Sequence, residues 1–269
     1  MTPAASLPMY NLPEMREVNA RFWETLRGLL VEAGLGKVPE SLTFDQMPVP
    51  ERIGPDILFS QTCGYPLETI FSGQANRLGT PCYAVPGCDG PTHCGLFIAP
   101  AGSAARELPD LRGGIFLFNN RHSNSGMNLP RRALADIADG RPFFSKVVET
   151  GSHPGNLDRI ARGEADATAV DNVTYAFWRH YRPEAARHVR VLARTPASPA
   201  IPFVTSVATP PATVAILREA LIRLGHEPRA AAARAGLWIT GIVDVPAAAY
   251  RRLLEYEREA AELGYPELA

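Results

Sequence analysis

The chain has 269 residues, 46% hydrophobic and 20% charged, enough for one large domain or two lobes with a substantial core. Its 27 basic and 28 acidic residues leave a net charge of −1 without a basic stripe, which argues against nucleic acid as a partner. No apolar run approaches the roughly 18 residues of a membrane span, and Met1–Tyr10 has neither the basic nor the apolar region of a secretory leader. The expected location is periplasmic if a leader was removed and cytoplasmic if Met1 is the native start.

In chain order, Ala5–Tyr10 reads as a short apolar strand stopped by Asn11 and Pro13. Met15, Val18, Phe22, Leu26, Leu29, Leu30 and Ala33 recur at helical spacing, with Pro13 before the start and Gly34 just past the end. Asp56–Ser60 reads as a buried strand ending in a polar turn, and a helix is expected from Pro66 towards Asn76. Pro81–Val85 and Cys94–Ala99 read as strands around a hairpin at Pro86–Thr92.

The alternation continues. Gly114–Asn119 is a strand and Met127–Asp139 a helix, on which Asp136, Asp139 and the Arg131-Arg132 pair read as a solvated face. Lys146–Thr150 is a strand and Pro154–Arg162 a helix; Ala167–Val170 is a strand and Val173–Arg179 a helix, with Tyr175 and Trp178 packed in the core. Val189–Thr195 is a strand, Pro196–Pro202 a connection, and Phe203–Ala208 a strand again. Helices over Pro211–Leu224 and Pro246–Leu263 complete the series. Strands alternating with helices predict an α/β class with largely parallel sheets, in which ligands bind beyond the carboxyl ends of strands.

Those ends are polar: Tyr10-Asn11, Ser60-Gln61-Thr62, Asn119 with His122–Gly126, Gly151-Ser152-His153, and Asp171-Asn172. The most informative is GGIFLFNNRHSNSGMN, beginning at Gly113. A strand that opens a helix through a Ser/Asn-rich turn presents free amides, short hydroxyls and the positive end of the helix dipole, a seat for a small anion. The same residues also serve as ordinary helix caps. No Gly-x-Gly-x-x-Gly, phosphate-binding loop or Gly-x-Ser-x-Gly elbow occurs, and no nucleophile–base set stands out. Donors without catalytic machinery point to binding rather than to an enzyme, with no cofactor and no metal expected.

Cys63, Cys82, Cys88 and Cys94 fall within 32 residues, without the spacing of common zinc sites. Disulfides are the preferred reading over a metal set that includes His93, and they would imply an oxidising compartment, in tension with the missing leader. Cys63 follows a strand end and Cys88 lies in the hairpin that would cover it, so those two are the expected pair; Cys82 and Cys94 would face each other across the hairpin.

Taken together, Leu58–Leu67, Gly87–Ile98, Leu108–Arg131, the Gly-Ser-His of Gly151–His153 and Gly163–Phe177 resemble the phosphate/phosphonate-type substrate-binding proteins of ABC transporters. The order strand, Ser-x-Ser-Gly, helix, then Gly-Ser-His, then Gly-x-Ala-Asp-x4-Asp carries the resemblance, which spans Tyr10 to Leu224. It implies a two-lobed type II periplasmic-binding-protein fold: two mixed sheets with flanking helices, and a hinge of two crossover segments near Ala99–Gly102 and Thr195–Pro202. Residues 1–99 and 199–269 would form one lobe and 100–198 the other, with ligand between them and hinge closure around it.

The resemblance also implies the ligand set. Ser123 and Ser125, with the amides of Asn124, Gly126 and Met127, match the cluster that holds phosphonate oxygens, with Asn119 at the strand end behind it. His153 matches a pocket histidine, or else caps the helix at Pro154. Asp171 falls where an acid pairs with a ligand amine, or caps the next helix. Tyr10, Gln61 and Thr62 would come from the opposite lobe, Tyr10 alternatively covering the core. A second pocket acid of some members has no counterpart in Thr195–Ser206, which puts an aminoalkylphosphonate in doubt. The expected role is a monomeric receptor that binds a small oxyanion and delivers it to a transporter permease; the alternative is a cytoplasmic sensor of the same fold.

Overall fold

The computed structural model describes residues 2–50 and 52–269. Its elements run β1 (Ala4–Ala5), α1 (Arg16–Glu32), β2 (Ile57–Gln61), α2 (Gly64–Glu68), β3 (Ala75–Tyr83), β4 (Thr92–Pro100), β5 (Ile115–Phe118), α3 (Leu129–Ala138), β6 (Lys146–Glu149), α4 (His153–Ala161), β7 (Ala167–Asp171), α5 (Asn172–Tyr181), α6 (Pro183–Ala186), β8 (Val189–Pro199), β9 (Phe203–Ser206), α7 (Pro211–His226), α8 (Ala231–Gly236), β10 (Ile239–Val243) and α9 (Ala247–Glu262). The strands form two five-stranded sheets, ordered β1-β2-β9-β3-β10 and β6-β5-β7-β4-β8.

The chain divides into two units. The first comprises residues up to Thr92 together with Pro199–Ala249, and the second His93–Ser198 with Tyr250–Ala269. β4 pairs antiparallel with β7 and so joins the second sheet, with Gly95 opposite Asp171. The C-terminal helix also belongs to the second unit. The Asn128 side chain donates to the Leu253 carbonyl at 2.9 Å, and the Tyr256 hydroxyl to the Ala197 carbonyl at 3.2 Å.

Both sheets are mixed rather than largely parallel. In the first, β1 and β2 are parallel, whereas β9, on the returning chain, runs antiparallel to both β2 and β3. In the second, β5 is parallel to β6 and β7, and β4 opposes β7. Since β3 and β4 lie in different sheets, the predicted hairpin between them is a crossover instead.

In the first unit α1 begins after a 3-10 turn at Pro13–Met15 and ends at Glu32, two residues before Gly34, whose φ of 85° turns the chain without the strain a side chain would bring. It buries Phe22, Trp23, Leu26, Leu29 and Leu30. Phe22, Trp23, Phe59 and Phe203 form a chain of ring contacts with centroids 5.3 to 5.7 Å apart. In the second unit Phe97, Phe116, Phe144 and Phe143 form another, at 4.5 to 6.2 Å. Full burial of one such side chain contributes about 1.5–3 kcal/mol, so these two clusters anchor their sheets.

Several elements differ from the sequence reading. The helix expected from Pro66 stops at Glu68, because the chain turns through Gly73 (φ 74°) to enter β3. β8 runs on through Pro196 to Pro199; it is an edge strand, where proline's missing amide costs no ladder bond. The edge strand β10, paired with β3 through a bulge, is an element the sequence reading lacks. Arg131 is buried rather than solvated, donating to the Pro266 carbonyl at 2.8 Å and to Asn128 Oδ1 at 2.7 Å. None of the four cysteines forms a disulfide. Cys82 lies opposite Gly241 in the first sheet and Cys94 in β4 of the second, so the predicted facing pair does not arise.

Candidate functional site

The polar cluster of the second unit is built where β5 ends. Beyond Phe118, the Thr150 amide donates to the Phe118 carbonyl and the Gly151 amide to the Asn119 carbonyl, at 2.9 and 2.7 Å, fixing the ends of β5 and β6 together. The chain then turns to Ser123, whose extended backbone and side chain cap the next element: Ser123 Oγ accepts from the Gly126 amide at 3.0 Å. Asn124–Asn128 form one turn of π-helix that runs directly into α3. A π turn is rare and tends to occur at functional positions. The first amides of the combined helix precede any turn that could accept from them.

Ser125 and His153 meet here. Ser125 Oγ lies 3.3 Å from His153 Nε2, and both residues are buried. His153 is the first residue of α4, whose cap is Ser152, accepting from the Gly155 amide at 3.1 Å; His153 itself does not cap the helix. Gly126 is required by the packing. A Cβ there would clash with Asn119 Oδ1 and meet His153 Cε1 at 2.9 Å and Ser123 Oγ at 3.0 Å. Asn119 Oδ1 is buried with no hydrogen-bond partner among the described residues. Asn124 turns elsewhere, donating to Ser198 Oγ at 2.9 Å.

Asp171 closes β7 beside this cluster, and β7 packs against the π turn. The carboxylate is 1% exposed and both its oxygens are used. Oδ1 caps α5 by accepting from the Thr174 amide at 2.8 Å. Oδ2 is in hydrogen-bond contact with Nδ1 of His93, which must carry the proton because an ionised carboxylate only accepts. His93, which the sequence raises only as a member of a metal set, stands here as the partner of Asp171. The signal lies in the register: Gly95 sits opposite Asp171, and residue 93, two positions along the same face of β4, comes within diagonal reach of the Asp171 side chain.

Burial penalises charge on both groups, with different results. It drives His153 down to about 4, with the neighbouring His93 adding to the effect and Asp171 and the Ala169 carbonyl opposing it. His153 is therefore neutral at pH 7. Burial alone would raise Asp171, but the His93 ring and the Thr174 amide outweigh it and hold the carboxyl below its ordinary range.

In the first unit, Tyr10 and Gln61 come together. With Leu7, Asn19, Tyr83 and Phe203 they line a cavity of about 10 Å³, room for roughly one water. The Tyr10 and Tyr83 rings pack edge to face at 5.5 Å, and Gln61 Nε2 donates to Tyr83 Oη at 3.3 Å and to the Ile201 carbonyl at 3.1 Å. Thr62 is directed elsewhere, its hydroxyl donating to the Pro48 carbonyl at 3.0 Å.

A family model described as "ABC transporter, phosphonate, periplasmic substrate-binding protein" matches residues 76–250. Among solved structures the chain resembles a binding-protein component of an ABC phosphonate transporter from Pseudomonas aeruginosa, at 16% identity over 98% of this chain and 97% of that one, TM-score 0.70. It also resembles PhnD1 from Prochlorococcus marinus in complex with methylphosphonate, at 11% identity over 97% and 98%, TM-score 0.66. A third is XAC2383 from Xanthomonas citri bound to ATP, at 20% identity over 98% of each chain, TM-score 0.69. At these identities the likeness is one of fold, and the fold is that of the type II periplasmic binding proteins.

Proposed function

The chain belongs to the phosphonate-binding family of ABC-transporter periplasmic substrate-binding proteins, a family of transport receptors rather than enzymes, and from that premise we propose that it binds a small phosphorus oxyanion at the Ser123–Met127 turn. In this reading it serves as the substrate-binding component of a transporter and hands the anion to a membrane permease.

The observation that carries the reading is the convergence of donors at the end of β5. The Ser125 hydroxyl stands against a neutral His153 at the start of a helix whose first turn is closed by Ser123. Hydrogen bonds from neutral donors to a charged oxygen are worth roughly 1.5–3 kcal/mol each, and the helix N-terminus adds its dipole. A neutral imidazole donates or accepts at Nε2, so it orients the Ser125 hydroxyl without adding a fixed charge. The methylphosphonate of the Prochlorococcus marinus protein supports the ligand class.

Titration calorimetry with phosphate, phosphite, methylphosphonate, sulfate and an alkylsulfonate tests the proposal. Binding of at least one phosphorus oxyanion, weakened about tenfold by Ser125→Ala, is expected. Absence of binding by all the phosphorus ligands, or equal affinity of wild type and variant, overturns it.

A further inference from the structure

We propose that His93 sets the ligand class: by occupying the Asp171 carboxylate from within the protein, it makes the site one for phosphorus oxyanions that carry no ammonium group. This rests on the proposed oxyanion site at Ser125.

A buried carboxylate next to an anion seat poses an electrostatic problem. Left to itself it repels the oxyanion, and it is satisfied only by a cation or by donors. A ligand with an ammonium group at one end and a phosphonate at the other would solve both requirements at once. Here the protein has already solved the first. Asp171 Oδ2 meets the His93 ring, Oδ1 accepts from the Thr174 amide, and the side chain is 1% exposed. No oxygen is turned to a ligand.

The placement of His93 is built into the sheet rather than incidental. Gly95 lies opposite Asp171, and His93, two residues along the same face of β4, reaches the carboxylate diagonally. A Cβ at Gly95 would meet Thr195 Cγ2 at 2.9 Å and the Ser125 carbonyl at 3.0 Å, so the same glycine brings β4 against the Ser125 turn. The His93–Asp171 pair therefore adjoins the donors that would hold the anion, and Asp171 also influences the ring of His153. An ammonium group brought to this point would find the His93 ring in its place and no free acceptor. Its own desolvation would go uncompensated, which is how a site rejects a ligand with one polar group too many.

Methylphosphonate and 2-aminoethylphosphonate present the same phosphonate head with and without the ammonium group, and calorimetry on the intact chain compares them. The wild type is expected to bind methylphosphonate at least tenfold more tightly. His93→Ala frees Asp171 Oδ2 and opens space beside it, and should reduce that preference tenfold or more.

Equal or tighter binding of 2-aminoethylphosphonate by the wild type overturns the inference while leaving the oxyanion site standing. So does an unchanged preference in a His93→Ala protein with native circular dichroism. Should that variant not fold, the wild-type ratio decides the matter. Failure of the wild type to bind either phosphonate or phosphate removes the oxyanion reading, and this inference with it.

Discussion

Ser125 Oγ and His153 Nε2 lie 3.3 Å apart although they open different helices, Ser125 in the turn that leads into α3 and His153 at the first position of α4. Two strand ends, β5 and β6, deliver them to one point. This contact joins two neutral groups, so removing it should alter ligand binding more than folding. Ser125→Ala is expected to cost about 1.5–3 kcal/mol in oxyanion binding and under about 1 kcal/mol in stability.

Ser123→Ala should behave differently. Its hydroxyl accepts from the Gly126 amide and caps the helix, so it is expected to lower stability by about 0.5–2 kcal/mol as well as to weaken the ligand. Urea unfolding beside calorimetry separates the two serines. Equal loss of stability in both variants would show that the cap assignment is wrong.

Gly126 and Gly28 make a matched pair. A Cβ on Gly126 would press into Asn119, His153 and Ser123, whereas one on Gly28, exposed in α1, meets nothing within 4 Å. Gly126→Ala should destabilise by about 1–3 kcal/mol and abolish oxyanion binding. Gly28→Ala should stabilise by about 0.5–1 kcal/mol, through helix propensity alone. Thermal unfolding with opposite signs for the two is the expected result.

Much of the local structure of the candidate site was legible because its signal is local. An apolar run from Ile115 to Phe118 followed by Ser-Asn-Ser-Gly specifies a strand end and a helix start within a dozen residues. The same holds for Asp171, whose cap on Thr174 is three residues away. What was not legible depends on pairing between distant segments. His93 acquires its role only from the register that places Gly95 opposite Asp171, and nothing near His93 in the chain encodes that. β10 was missed because a short edge strand with a bulge buries only Ile239 and Ile242, too few for a period to emerge. The hairpin expected at Pro86–Thr92 failed for a related reason: two apolar runs around a turn look alike whether they pair with each other or with different sheets.

The cysteines give a chemical test of that crossover. With no disulfide among Cys63, Cys82, Cys88 and Cys94, all four should alkylate in denatured, unreduced protein, adding four labels by intact mass. In the native protein Cys94 should be slowest, because burial, with the Asp171 charge adding to it, pushes its thiol up to about 11. Cys82, half-buried, should react sooner. Fewer than four labels after denaturation would restore the disulfide reading.

His153 predicts a specific pH dependence of stability. Its value falls from the ordinary 6.5 to about 4 in the folded protein, chiefly through burial. The neutral ring is thus favoured by folding, and between pH 6.5 and 4 the unfolded chain binds the proton that the native state refuses. Stability therefore rises with pH across that window: the contribution is complete above about 6.5 and is lost progressively as pH falls towards 4. Its full size is on the order of 3 kcal/mol. Asp171 acts lower on the scale. Its folded value is depressed, so its contribution holds above the ordinary carboxylate range and disappears only as pH falls beneath it. His153→Gln should consequently flatten the stability profile between pH 6.5 and 4 and leave the steeper acid limb in place. Urea unfolding at pH 7, 5.5 and 4.5 measures this, and parallel profiles for wild type and variant would exclude a buried, neutral His153.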